Sequence, residues 1–533
     1  MLKSRCCQSI LLLASLLGGA SQLAVAQASG AGGPGAPATT SAAQQGTTST
    51  LPVLDARVLV PPLQYHRDAT SPAVPRTVQE LVDELNDYRI NVGNTWTAFD
   101  QLVGPSIDSM YALVRTRAQA MARTVSWDTV RGRQADAGLI LLIRAGDTAG
   151  VERLLRRRLA EPHLRVQDSA YTLLTVVNTY AKRCWPADLV HATHFTRQLD
   201  ALSAGAAFWQ AQAHQTLAIQ HFYFGKPEDV LDQVGRLVRD VARLEYLDRK
   251  AYISGWMNRY WTRFGDMYEV ASDAALSLPD GNARMAAIDR ELMALTVVPK
   301  SLVARDSSWA TNDRGFSLSI RMMTEARIAP DAPEPPPMGH LKVGHKMPPL
   351  YGSIWRNVAD TGPHGMTFGD GHVHIVSWLG LCTYLPQSAR FVERMQQLAP
   401  GLEGVLYCSI SGQWANVYVT PAEEVAALQA HLDAEYHSKV PVAIWVGEKQ
   451  KTRNGGWLPA GDPRSQIFFS LGGAIDKQGR FRKTFWDPQR DPGEDYELHA
   501  MRLRQLIAEP FPAAAANPPA SSPGATTSSV AAQ

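Results

Sequence analysis

From Thr77 to about Leu295 apolar residues recur at steps of three and four. The segments VQELVDELNDY, MYALVRTRAQAMA, GVERLLRRRLA, VLDQVGRLVRDVARL and AAIDRELMALT each place their apolar side chains on one stripe, the pattern of an amphipathic helix. Gly and Pro fall between these segments rather than inside them. From Leu341 the pattern changes. HVHIV, residues 372–376, reads as a short buried strand. The positions Leu385, Ala389, Phe391, Val392, Met395 and Leu398 then predict a helix over 385–399. GVLYCSI is a second strand, Pro421 to Tyr436 a helix with an acidic first turn, and VPVAIWV a third strand. GGAIDKQGRF holds a fourth strand, whose turn at Asp476-Lys477-Gln478-Gly479 leads into a partner over Arg480 to Phe485. Glu494 to Ile507 is a closing helix. This order predicts a mixed sheet with helices on both faces. The expected fold class is an all-α helical-hairpin array followed by an α/β domain.

The turns of the helical part repeat. Gly146-Asp147, Trp185-Pro186, Gly225-Lys226 and Gly265-Asp266 follow one another at steps of 39, 40 and 40 residues. At each, a Gly or Pro turn precedes an acidic residue that suits the first turn of the next helix. A period near 40 fits stacked helix pairs and resembles a loose tetratricopeptide-like array; an irregular bundle is the alternative. The array is rich in aromatics: Trp209, Phe222, Tyr223, Phe224, Trp256, Tyr260, Trp261 and Phe264. They read either as core packing or as a concave binding face.

Composition separates these regions. Residues 27–76 and the tail at 511–533 are rich in Ala, Gly, Ser, Thr, Gln and Pro, and cannot bury a core. Residues 328–340 (IAPDAPEPPPMGH) form an extended Pro-rich linker between the helical part, 77–327, and the α/β part, 341–510. Residues 1–26 read as an export signal: Lys3 and Arg5, an apolar core from Ile10 to Leu17, and Ala24-Val25-Ala26 before the cut. The expected location is therefore periplasmic or secreted, with no membrane span in the mature chain; an uncleaved anchor is the alternative. With 52 basic and 50 acidic residues, the balance argues against a nucleic-acid partner.

Three cysteines remain after the signal: Cys184, Cys382 and Cys408. Three are too few for a disulfide-built scaffold. Cys382 falls where the first strand hands over to a helix, and a helix N-terminus stabilises a thiolate. Cys408 lies on the second strand; it is either a core residue or a second thiol close enough to pair with Cys382. Cys184 ends a helix of the array and reads as inert.

The α/β part resembles the thioredoxin-like fold in its TlpA-type (redoxin) branch. The resemblance rests on LKVGHKMPPL, DGHVHIVSWLGLC, VPVAIWV and IDKQGRF in that order. It covers about 150 of the 533 residues. It implies that Cys382 stands at the attacking cysteine and that Trp378 shapes its pocket. Two departures stand beside it. The family's second cysteine falls at Leu385, and its cis-proline at Ser470. Without a resolving thiol, ordinary dithiol–disulfide cycling stops. Leu379 occupies the place where the peroxidase branch needs Thr.

Among the histidines, His372 and His374 alternate on a strand and share a face, but no acidic or thiol ligand has motif spacing with them; they read as ordinary strand residues, alongside His340, His345 and His364. Asp370 and Asp476 read as turn residues. The expectation is no metal and no cofactor. Two functions follow: an exported thiol with monothiol redox or disulfide-exchange activity through Cys382, serving cell redox homeostasis, or a non-catalytic adaptor whose array binds a protein or peptide.

Overall fold

A computed structural model describes residues 77–97, 107–254, 264–308, 314–325, 343–347, 349–358, 365–379, 385–410, 421–446, 449–451, 457–459, 473–484 and 492–511. All of them belong to one of its two units, Val53–Gln533. The signal, the Pro-rich linker and the segments holding Cys382 and Ser470 lie outside the described residues.

The first part is helical throughout: α1 Val78–Thr97, α2 Ile107–Ala122, α3 Gly132–Ala145, α4 Thr148–Leu159, α5 Val166–Lys182, α6 Leu189–Asp200, α7 Ala207–Phe224, α8 Pro227–Ala242, α9 Tyr246–Ser254, α10 Phe264–Leu276, α11 Gly281–Leu295, α12 Lys300–Arg305 and α13 Arg314–Glu325. Three of the four repeated turns join consecutive helices that pack on each other: α3 with α4, α5 with α6 and α7 with α8. Gly146 ends α3 in the left-handed region at φ 77°, which only Gly adopts without cost. Asp147 and Asp188 then cap α4 and α6 by accepting from the N–H groups of Gly150 and His191. Gly225 differs: it is extended at φ −112°, and Pro227 opens α8 instead. Gly265 differs again, lying inside the first turn of α10 rather than at a helix end.

Tertiary burial holds these helices. In α8, Val230, Leu231, Val234, Leu237, Val238 and Val241 are all buried. Each contributes roughly 1.5–3 kcal/mol, far more than helix propensity supplies. Helix α7 is buried nearly all round, and some of its polar side chains pair inward: Gln212 donates to the Tyr252 hydroxyl, which donates to Gln215. Trp209, Phe222, Tyr223 and Phe264 are buried in the helical cores, as the packing reading expects.

The second part carries β1 Ile354–Arg356, β2 Val373–Leu379, α14 Leu385–Leu398, β3 Leu402–Ile410, α15 Pro421–Glu435, β4 Val442–Val446, β5 Lys449–Lys451, β6 Trp457–Pro459, β7 Gly473–Ile475, β8 Phe481–Lys483 and α16 Pro492–Ala508. Six strands form one sheet in the order β1-β4-β3-β2-β7-β8, and β5 pairs separately with β6. Strands β2, β3 and β4 are parallel, whereas β1, β7 and β8 run antiparallel to their neighbours. The expected strands, helices and Asp476 turn therefore recur within a few residues of their predicted bounds. Among the described residues the three helices of this part share one face of the sheet. Both crossovers step the same way, from β2 to β3 to β4, and connections of one hand then lie on one face. Side chains of α14, α15 and α16 accordingly join Val373, Ile375, Leu402 and Val442 in one core. The other face carries Val405, Tyr407 and Ala443, and is covered by Val343, Met347, Leu350 and Phe368, with Leu276 of α10.

Candidate functional site

Strand β2 is central, with β3 on one side and β7 on the other. Its parallel register with β3 pairs Val373 with Leu402 and ends with Trp378 opposite Tyr407 and Leu379 opposite Cys408. The chain leaves β2 at Leu379 and enters α14 at Leu385, with Pro386 in its first turn. The strand-to-helix handover foreseen from the sequence is thus present, and Cys382 falls between its two ends. Cys408 holds its backbone place beside Leu379, the last residue of β2, and Cys382 follows three residues later in the sequence. Cys184 is a half-buried thiol in the helical part, packed against its core.

At the opposite, amino end of β2 a polar cluster assembles that the sequence reading did not gather. Gly369 and Gly371 have φ of 96° and 91° and fold the chain tightly ahead of the strand. A Cβ at Gly369 would lie 3.2 Å from the Gln478 carbonyl. The turn aims Asp370 forward along β2. Its Oδ1 accepts from the His372 N–H at 3.0 Å and lies 3.0 Å from His374 Nε2. Hydrogen bonds from these two histidines outweigh the burial that would raise the Asp370 carboxyl, and hold it below the usual carboxylate range. Glu403 comes from the neighbouring strand, since the register sets it against His374. Its Oε2 is 3.7 Å from His374 Nδ1 and its Oε1 is 3.4 Å from His372 Nδ1. His372 and His374 do share a face, as their spacing requires. The acidic partners have no sequence motif: one sits four residues upstream and the other twenty-nine downstream, on a paired strand.

A third cluster ties the sheet to the helices. Arg482 of β8 is fully buried. Its guanidinium donates to Asp273 of α10 at 3.1 Å through both Nε and Nη2, to Glu509 at 2.8 and 3.1 Å, and to Asp476 at 3.3 Å. Asp273, equally buried, also accepts from Arg502 of α16 and from the Lys483 N–H. The Lys483 amine pairs with Glu269 on α10. Burial alone would raise the Asp273 carboxyl, but Arg482 and Arg502 drive it below the usual range, and Arg482 does the same for Glu509. The two arginines respond oppositely. Burial depresses both, yet Arg482 is raised because the Asp273 and Glu509 carboxylates face it, whereas Arg502 stays lowered chiefly by its burial, with repulsion from Arg482 added.

Folded-state carboxyl pKa values below the unfolded 3.8 and 4.5 stabilise the fold above those values and lose that contribution as pH falls through the folded ones. Thermal stability is therefore expected to drop below about pH 4, and the drop to be shallower in Asp273→Asn, measured as melting temperature against pH. Equal slopes in the two proteins would remove Asp273 from the acid response.

Asp200, His214 and Asp240 make a fourth group in the helical part, with Asp200 3.1 Å and Asp240 3.5 Å from His214 Nε2. Gln233 meets the other ring nitrogen at 2.7 Å. Arg243 and Arg236 lie 3.3 and 3.7 Å from these two acids and neutralise them. Among the described residues no helix is long and apolar enough to cross a membrane. No family model, no curated protein and no solved structure matches the chain.

Proposed function

We propose that the chain is an exported thioredoxin-like protein of the TlpA type, in which Cys382 exchanges disulfides with a protein or peptide as a single thiol. The observation that carries this reading is the handover from Leu379 to Leu385 at the carboxyl end of a central strand. In an open α/β sheet the crevice beyond the carboxyl ends of the strands is the usual ligand position. The order β3-β2-β7-β8, with the closing hairpin and α16, supports the family reading. A 14-residue helix following the thiol supplies a positive N-terminal field that favours the thiolate.

The Cys382 thiolate attacks one sulfur of the partner's disulfide. A bond forms between these two sulfurs, and the partner's other sulfur leaves as a thiolate that takes up a proton. Leu385 supplies no resolving thiol. A low-molecular-weight thiol must attack the mixed disulfide, return Cys382 as thiolate and leave its own sulfur bound to the partner. The test is alkylation of the full chain against pH, compared with Cys382→Ser. The expected titration midpoint lies below the unperturbed value of about 8.5, and the variant loses the fast-reacting thiol. A midpoint at or above that value, or an unchanged fast phase in the variant, would sink the reading.

The adaptor reading is favoured by Leu385 and Ser470, which depart from the family pattern at two places, and by the buried cluster that fixes the helical part to the sheet. In cells lacking the protein, an adaptor with Cys382→Ser restores function fully, whereas an exchange protein so changed does not.

A further inference from the structure

Asp370, His374 and Glu403 each offer one ligand atom, and these atoms lie within 4.8 Å of one another. We propose that His374 Nδ1 and Glu403 hold a divalent transition cation, zinc foremost, at the amino end of β2 and β3, with Asp370 orienting the imidazole from its far nitrogen. The site is separate from the Cys382 turn. From His374 to the end of β2 the strand advances five residues, about 16 Å.

The argument turns on the two nitrogens of His374, a side chain only 1% exposed. Asp370 is an ionised acceptor 3.0 Å from Nε2, so Nε2 carries the proton. Nδ1 is then buried with no hydrogen-bond partner. What faces it is the Glu403 carboxylate at 3.7 Å, an acceptor opposite a lone pair. Protonating Nδ1 does not repair this, because 3.7 Å exceeds the ordinary 2.7–3.2 Å hydrogen-bond range. A shared cation does. Two ligand atoms each about 2.1 Å from zinc, at a tetrahedral angle, stand about 3.4 Å apart.

The surrounding groups agree with this assignment. His372 Nδ1, 3.4 Å from the other Glu403 oxygen, is placed to join as a further ligand. Asp370 holds the far N–H of the ligating histidine, the usual partner of a metal-bound imidazole. Imidazole with carboxylate is a donor set suited to zinc and its first-row neighbours. Asp370 and Glu403 are ion-paired only to histidines among the described residues, unlike the Asp200–His214–Asp240 group with its two arginines. Both carboxylates and His372 are about half exposed, so an ion has open access.

The test is calorimetric titration of the chelator-treated full chain with zinc, and cobalt(II) as a spectroscopic probe of imidazole and carboxylate ligation. The chain has 14 histidines, so the comparison is with variants rather than with zero. One zinc equivalent is expected to bind to the wild type, and Glu403→Gln to abolish it. Asp370→Asn, which keeps the ligand but loosens its orientation, is expected to weaken binding 10- to 100-fold. Glu403 is exposed enough that Glu403→Gln should fold, which an unchanged melting temperature in chelator verifies. No stoichiometric zinc in the wild type, or the same affinity in Glu403→Gln, overturns the proposal.

Discussion

Asp273→Ala is expected to destabilise the whole chain by about 3–5 kcal/mol, the usual loss when one partner of a buried ion pair is removed. The value follows from what the substitution leaves behind. Arg482 keeps Glu509 and Asp476. Among the described residues Arg502 keeps Gln505 and the face of Phe222, whose centroid is 4.6 Å from its guanidinium carbon. The Lys483 N–H loses its acceptor as well. Unpaired buried cations and donors are costly because no water replaces the lost partner. Arg502→Leu in the Asp273→Ala background should recover part of the loss, since it removes the charge that was stranded. Denaturant unfolding of wild type, both single variants and the double variant gives the coupling directly. A loss below about 1 kcal/mol for Asp273→Ala would mean that the cluster behaves as a surface network.

The contrast between this cluster and the helices shows what a sequence displays. Helix α8 is legible because its apolar residues repeat locally at three and four, and that spacing is itself the cause of the buried stripe. Strands β2 and β4 are legible as apolar runs because parallel strands are covered on both faces. The hairpin at Asp476 is legible because its turn residues are adjacent. Arg482, by contrast, meets Asp273 across 209 residues, and no periodicity encodes that meeting. The pairing of His374 with Glu403 also required the strand register, which a one-residue slip would have changed. Asp370 could have been noticed, since a Gly-Asp-Gly turn opening a strand throws a carboxylate toward the residues that follow. The direction of the crossovers, and so the common face on which α14 and α15 lie, depended on the order of three strands that the sequence does not state. Cys382 was located by the change of period from strand to helix, which the bounds of β2 and α14 reproduce.

Removing residues 492–533 is expected to unfold the helical part together with the sheet, although the sequence divides them at a linker. Helix α16 serves both cores. Leu498 is buried among the α7, α8 and α10 side chains, with Met501 packed beside it. Ala500, Leu503 and Leu506 are buried against the sheet with Val392 and Met395. Between these two rows Arg502 reaches Asp273, and Gln505 donates to the Tyr223 carbonyl at 2.8 Å. Three buried leucines at roughly 1.5–3 kcal/mol each, added to the stranded Asp273 cluster, exceed much of the 5–15 kcal/mol that holds an ordinary domain. The intact protein should therefore melt in one transition, with tryptophan fluorescence and far-ultraviolet dichroism coinciding. Leu503→Ala gives the milder version, about 2–5 kcal/mol, and should lower both signals together. If residues 77–325 alone retained a cooperative transition near that of the full chain, α16 would belong to the sheet only, and the helical part would be a domain in its own right.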